Sequence, residues 1–320
     1  MRDLDCRIIL TEKCNASCKH CFNADARHGK SMDVDKFMDF VTTNQHNLKH
    51  LQLKIMGGEP TIHPRFEELV EKASDFFLRV IIFTNGTTMN KITRNPFFKN
   101  NPNIIYTING FTFDVPDFDQ YKDFVNNVSL HFVLSMGGAD EIVQKALHCA
   151  NVMKDKVTIL YSPDTQVDLF NKEVMNRYRK IWVKGIKDLI PKLRKMGVPF
   201  YPDHSLPLCF FTTEMIEELA EADFTDITLG LSGCDCANLG LIDTDFNLHH
   251  CNQTRIKLGT LLNDDNSFKN IDEIREMIAG GPRTKIECIQ QISKECKECP
   301  SLPICRNGCY YNTLQKHGSL

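Results

Sequence analysis

Three cysteines, Cys14, Cys18 and Cys21, stand within eight residues in the stretch TEKCNASCKHCF, directly after the apolar run RIIL. Thiolates are soft donors that suit zinc and iron–sulfur clusters, and three from one loop can hold three irons of a [4Fe–4S] cube. The fourth iron is then left to an outside molecule, the arrangement that separates catalytic metal centres from structural ones. A zinc ion that borrows His20 or a distant fourth ligand satisfies the same spacing, and spacing alone does not choose between the two.

A second concentration of thiols follows. Of the 14 cysteines in 320 residues, nine (Cys209, Cys234, Cys236, Cys251, Cys288, Cys296, Cys299, Cys305 and Cys309) fall from residue 209 onward. The run CKECPSLPICRNGC, Cys296 to Cys309, can surround one compact metal centre or feed two adjacent ones, and a zinc ribbon is the plainer reading. Charges among the first residues leave no signal-peptide core, so a cytoplasmic location is expected and disulfides are disfavoured as the use of these thiols. A net charge of −3 with scattered lysines gives no field for a polyanion, and no apolar run is long enough to cross a bilayer. Neither nucleic acid nor membrane is expected as a partner.

Elements able to position such loops are legible. From residue 5 to about 203, β-rich runs alternate with amphipathic segments, the pattern of βα units on a parallel sheet. Strands are expected at 7–10, 50–56, 78–86, 103–108, 128–136, 156–162 and 198–203. Phe66, Leu69, Val70, Ala73, Phe76 and Phe77 recur at helical spacing, as do Ile142, Ala146, Cys149 and Met153. A helical segment over 171–196 is expected to bend or split at Gly185 and Pro191 before Gly197 ends it. Beyond residue 208 the chain reads as loop-rich, with one short helix at NIDEIREMIAGGP. Cys6 and Cys149 read as small core hydrophobes and Trp182 as packing.

CNASCKHC, placed after the first strand, resembles the CxxxCxxC signature of the radical S-adenosylmethionine (SAM) family. MGGEP, at the end of the second strand, resembles that family's glycine-glycine-glutamate motif, and FTNG closes the third strand as members often do. The resemblance implies a partial (β/α) barrel over residues 1–207, with its site at the carboxyl ends of the strands. It implies a [4Fe–4S] cluster on Cys14, Cys18 and Cys21, His20 beside the adenine, and Gly57, Gly58 and Glu59 at the methionyl amine. Ser135, with Ser162 as the alternative, would meet the ribose or carboxylate. Glycines let a backbone come close to a ligand, and a carboxylate is an acceptor for an ammonium.

The tail resembles the SPASM extension of peptide-modifying members, which implies a small cysteine-rich domain over 208–320 holding one or two auxiliary [4Fe–4S] clusters. Cys236, Cys251 and Cys309 would join Cys234 or Cys209 at the first. Cys296, Cys299 and Cys305 would hold the second, which, because the family's last cysteine would lie beyond Leu320, would recruit Cys288, keep an open iron or be absent. Asp264 stands near where many members carry a further cysteine. Cys209 is also a candidate thiol hydrogen donor near the barrel mouth, the one catalytic side chain the sequence suggests.

The expected activity is reductive cleavage of SAM followed by hydrogen abstraction from a substrate C–H bond. The resemblance implies a peptide or protein substrate, modified by cross-linking, epimerisation or oxidation. It also implies a one-electron reductant such as flavodoxin or ferredoxin and, in the absence of a recognition module before the first strand, leader binding by a separate protein or by the barrel itself. A small-molecule substrate is the alternative, and a non-enzymatic iron–sulfur or zinc protein for electron transfer or scaffolding is the other class.

Overall fold

The run DCRIILT forms β1 (Asp5–Thr11), with Cys6, Ile8, Ile9 and Leu10 fully buried. In the computed structural model, residues 5–18, 21, 28–109, 128–134, 140–153, 156–163, 167, 171–202, 208–221, 240–252, 255–280 and 298–300 are described. By compactness the chain divides into two units, one of residues 1–116, 123–128 and 236–282, the other of residues 117–122, 129–235 and 283–320.

In the first unit β1 is followed by α1 (Val34–Leu48), β2 (Gln52–Gly57), α2 (Phe66–Ala73), β3 (Arg79–Thr84), the short α3 (Met89–Ile92) and α4 (Pro96–Asn100), and β4 (Ile104–Asn109). β1, β2, β3 and β4 pair in that order, all parallel, with Ile8 opposite Ile55 and Ile55 opposite Ile82. Asp33 caps α1 by accepting the N–H groups of Asp35 and Lys36, which satisfies two of the donors a helix start leaves open. α1 buries Phe37, Phe40, Val41 and Leu48, and α2 buries Phe66, Leu69, Val70 and Ala73, the stripe its spacing predicts. At about 1.5–3 kcal/mol for each fully buried large apolar side chain, these stripes outweigh the small propensity differences along the helices.

A feature the sequence does not announce lies on the other side of β1. β8 (Leu241–Ile242) runs parallel to β1 opposite Arg7 and Ile8, and β9 (Asn247–His249) and β10 (Lys257–Thr260) extend the sheet antiparallel from it. Strands of two to four residues show no periodicity to read, so this stretch looks like loop in sequence. α8 (Ile271–Gly280) follows, where the short helix is expected. The composition change at residue 208 and the compact units thus describe different properties of the chain.

The second unit holds β5 (Val128–Leu134, from Ser129 onward), α5 (Asp140–Met153), β6 (Val157–Pro163), α6 (Lys172–Lys195), β7 (Phe200–Pro202) and α7 (Thr213–Glu221). β6 and β7 are parallel. Trp182 is buried against Tyr161, Phe210 and Phe211, and Cys149 lies on the buried face of α5 with Ala146 and Met153. The expected break in α6 does not occur: Gly185 and Pro191 both lie inside one helix of 24 residues. Pro191 and Lys187, whose carbonyl would have bonded a residue-191 N–H, are on the exposed side, so the lost bond leaves no buried orphan. Gly197, at φ +69°, does end the segment. Both units are α/β with predominantly parallel pairing.

Candidate cofactor site

The carboxyl ends of β1 and β2 are held together past the last strand residues. Thr11 is opposite Gly57, the Gly58 N–H donates to the Thr11 carbonyl at 2.8 Å, and the Glu59 N–H donates to the Lys13 carbonyl at 2.8 Å. This contact allows no side chain at either glycine. A Cβ on Gly57 would lie 2.1 Å from the Thr11 carbonyl oxygen, and one on Gly58 would lie 2.2 Å from that of Lys13 and 2.5 Å from that of Glu12. Gly57 also has φ +148°, a backbone state that other residues rarely adopt. The glycines therefore dock the end of β2 onto residues 11–13, immediately before Cys14.

Glu59 then turns its carboxylate inward, with no exposed surface. Oε1 accepts from the Thr61 N–H (3.2 Å), the Thr61 hydroxyl (2.5 Å) and the Thr84 hydroxyl (2.8 Å). Oε2 accepts from the Asn85 N–H at 2.6 Å. A carboxylate offers about four acceptor positions, so these donors fill most of its capacity. Burial pushes the Glu59 carboxyl up from its ordinary range and outweighs the opposing donors from Asn85, Thr61 and Thr84. The Thr61 hydroxyl is bonded in turn to that of Thr88.

Cys14, Cys18 and Cys21 are each half-buried, and the Cys21 N–H donates to the Cys18 carbonyl at 3.3 Å. Among the described residues no three His, Cys, Asp or Glu side chains are gathered as a site for a single metal ion. The loop is braced from the β8–β10 hairpin. Arg255 stands 3.7 Å from the Glu12 carboxylate, Lys30 Nζ lies 2.7 Å from Asp245, and the Lys30 N–H donates to Glu12 Oε2.

Further residues are singled out in the sequence. His20, Ser135, Cys234, Cys236, Cys288, Cys296, Cys305 and Cys309 lie outside the described residues. Cys251 is half-buried just after the hairpin strand β9, and Cys299 is half-buried in the short described stretch 298–300. Cys209 is exposed in a single 3₁₀ turn, where its carbonyl accepts from the Arg179 guanidinium. Ser162, on β6, is buried with its hydroxyl 2.7 Å from Nε2 of His131 on β5. His249 bridges Asp243 Oδ2 (2.7 Å) and the Arg255 carbonyl (2.9 Å), which gives it a structural task inside the hairpin. Thr61, Thr84, Asn85 and Asn15 stand in or beside MGGEP, FTNG and CNASCKHC, but the motifs do not foretell the contacts these side chains make.

Residues 8–146 match the family model described as the radical SAM superfamily. Streptococcus suis SuiB bound to the precursor peptide SuiA superposes with a TM-score of 0.63 at 17% identity, over 98% of this chain and 73% of that one. The structure of anSMEcpe with bound AdoMet and the Cp18Cys peptide gives 0.62 at 16% identity, over 98% and 95%. The matched residues make up somewhat under half of the chain, and at this identity the two structures show a shared fold. The family and these neighbours are enzymes. A probable GTP 3',8-cyclase of Pyrococcus horikoshii is 30% identical over 83 residues, 26% of this chain and 27% of that protein, so the match spans about a quarter of the curated relative. Among the described residues no helix is long and apolar enough to cross a membrane.

Proposed function

We propose that this chain is a radical SAM enzyme whose amino-terminal thiols hold a [4Fe–4S] cluster and whose substrate is a peptide or protein side chain. The observation that carries the reading is the docking of Gly57 and Gly58 on Thr11–Lys13, which joins the root of the three-cysteine loop to a second strand end at one edge of a parallel sheet. Three soft donors within eight residues fit such a cluster, and the glycine contact fits a site at the carboxyl ends of the strands. A cluster held by Cys14, Cys18 and Cys21 would supply one-electron reduction of SAM, and with it the means to abstract a hydrogen atom from the substrate.

The chain's own residues hold the two partners. Cys14, Cys18 and Cys21 bind the cluster, Gly57 and Gly58 set the floor beside it, and the methionyl ammonium lies at the main chain of Gly57–Glu59, which the buried Glu59 carboxylate holds in place through Thr61, Thr84 and Asn85. His20 lies by the adenine and Ser135 by the ribose or carboxylate, in a partial (β/α) barrel. The later cysteines, from Cys209 to Cys309, serve one or two auxiliary clusters. A one-electron reductant, and for a ribosomal peptide a separate leader-binding protein, complete the system. The peptide reading is supported by the bound peptides of the SuiB and anSMEcpe structures.

The anaerobically reconstituted, reduced protein is expected to release 5′-deoxyadenosine from SAM, and joint replacement of Cys14, Cys18 and Cys21 by Ala is expected to abolish this while iron stays on the tail. Zinc at the amino-terminal site, or iron whose spectrum ignores SAM, overturns the reading. A second reading, a small-molecule substrate, is favoured by the likeness to the GTP 3',8-cyclase. Mass change in a peptide encoded beside the gene, against consumption of GTP, separates the two.

A further inference from the structure

Asn15 sits between Cys14 and Cys18 and offers no soft donor, yet its side chain is tied to a turn about seventy residues away in sequence. Asn15 Nδ2 donates to the Thr87 hydroxyl at 2.9 Å, and Asn15 Oδ1 accepts from Asn85 Nδ2 at 2.8 Å. The Thr87 hydroxyl donates to Asn85 Oδ1 at 2.6 Å, which closes a ring of three side chains.

The direction of each bond in that ring is determined. The Thr87 N–H, which can only donate, points at Asn85 Oδ1 at 3.0 Å, so the Asn85 amide has one orientation and presents its NH₂ to Asn15. Asn15 must answer with its carbonyl oxygen, and its own NH₂ then meets the oxygen of Thr87. Rotating either amide by half a turn would set donor against donor. Asn85 itself is fixed from behind, because its backbone N–H is spent on the buried Glu59 carboxylate and the adjacent Thr84 hydroxyl bonds the same group. A continuous directional path therefore runs from Glu59 through Asn85 to the residue next to Cys14.

We infer that Asn15 and Asn85 are positioning residues that clamp the Cys14–Cys18 segment onto the β3 turn, so that the loop's thiols are presented at cluster spacing. The inference rests on the reading that Cys14, Cys18 and Cys21 hold an iron–sulfur cluster. Without the clamp, the segment would be ordered mainly by the metal itself, and iron would leave more readily. Asn15 is exposed, so its loss does not open the core.

The test uses the reconstituted full chain and follows iron loss to a chelator, together with the EPR signal of the SAM-responsive cluster. Asn15→Ala and Asn85→Ala are each expected to speed loss of that signal about fivefold, the factor that one net hydrogen bond supports. The double variant should be no worse than the worse single variant, since both cut one link. Asn15→Asp, which keeps the acceptor for Asn85, should restore most of the lifetime. Wild-type lifetimes and unchanged spectra in Asn15→Ala, or additive losses in the double variant, overturn the inference. If Asn85→Ala fails to fold, Asn15→Ala and Asn15→Asp decide it alone. A wild-type protein with no SAM-responsive signal would instead overturn the cluster reading, and that outcome is visible before any variant is compared.

Discussion

A methyl group on Gly58 would sit 2.2 Å from the carbonyl oxygen of Lys13, the residue immediately before Cys14. Contacts that close do not exist between real Cβ and backbone atoms, and the obstacle is main chain rather than a side chain that can swing away. Gly58→Ala must therefore push the cysteine loop off the end of β2. The expected result is a folded protein that loses at least about tenfold of its SAM cleavage, because positioning errors near 1 Å carry penalties of that order or larger. Activity within twofold of wild type would show that the glycine contact is dispensable.

How much of this was legible beforehand depended on the length of the signal. Strands expected at 50–56 and 103–108 appear as Gln52–Gly57 and Ile104–Asn109, the first written as an alternation that buries Leu53 and Ile55 and the second as a nearly continuous apolar run. The cysteine spacing was equally plain. The surroundings of Glu59 were not, because its partners Thr84 and Asn85 are about 25 residues away and polar in a way that reads as turn. β8 to β10 were too short to show a period. Pro191 misled in the other direction, since a helix break in sequence is harmless where the freed carbonyl lies on the exposed side.

Glu59 makes stability depend on pH. Its carboxyl is raised above the ordinary value of 4.5 by burial, so the folded chain binds a proton that the unfolded chain has released, and the contribution is lost as pH rises through the folded value. Urea unfolding at a series of pH values from 4.5 upward is expected to show this decline in the wild type and a flatter line in Glu59→Gln. The variant should also be less stable at the low end by about 1–3 kcal/mol, since an amide NH₂ would face the Asn85 N–H. Parallel lines for the two proteins would contradict the assignment.

The hairpin carries the opposite dependence. Burial alone would raise the Asp243 carboxyl, but donors from His249, Asn247 and the Asp245 N–H outweigh it and hold it at about 2. A depressed carboxyl stabilises the fold above its unfolded value of 3.8, and that support drains away as pH falls toward about 2. Thermal unfolding between those limits should fall more steeply for the wild type than for Asp243→Asn. Equal slopes would mean that the His249 contact has no energetic weight.

Cysteine chemistry should divide along burial. Cys6 and Cys149 are fully buried, with burial pushing the Cys6 thiol up to about 12 and the Cys149 thiol higher still. Because the thiolate is the reactive form, neither should react with iodoacetamide in the folded, metal-free protein, whereas the exposed Cys209 should. Peptide mapping by mass spectrometry reads this directly. Labelling of Cys149 ahead of Cys209 would refute the packing of α5.

β8 borders β1 at Arg7 and Ile8, so the strand that launches the cysteine loop has neighbours on both flanks. Trimming the chain back to its first 207 residues would strip one flank and leave a bare row of amide donors and acceptors beside a very apolar strand. Such a rim is a template for sticking to other copies. The last third of the sequence therefore covers a flank of β1 as well as supplying thiols, and a fragment lacking it is expected to aggregate more readily even where no metal is involved.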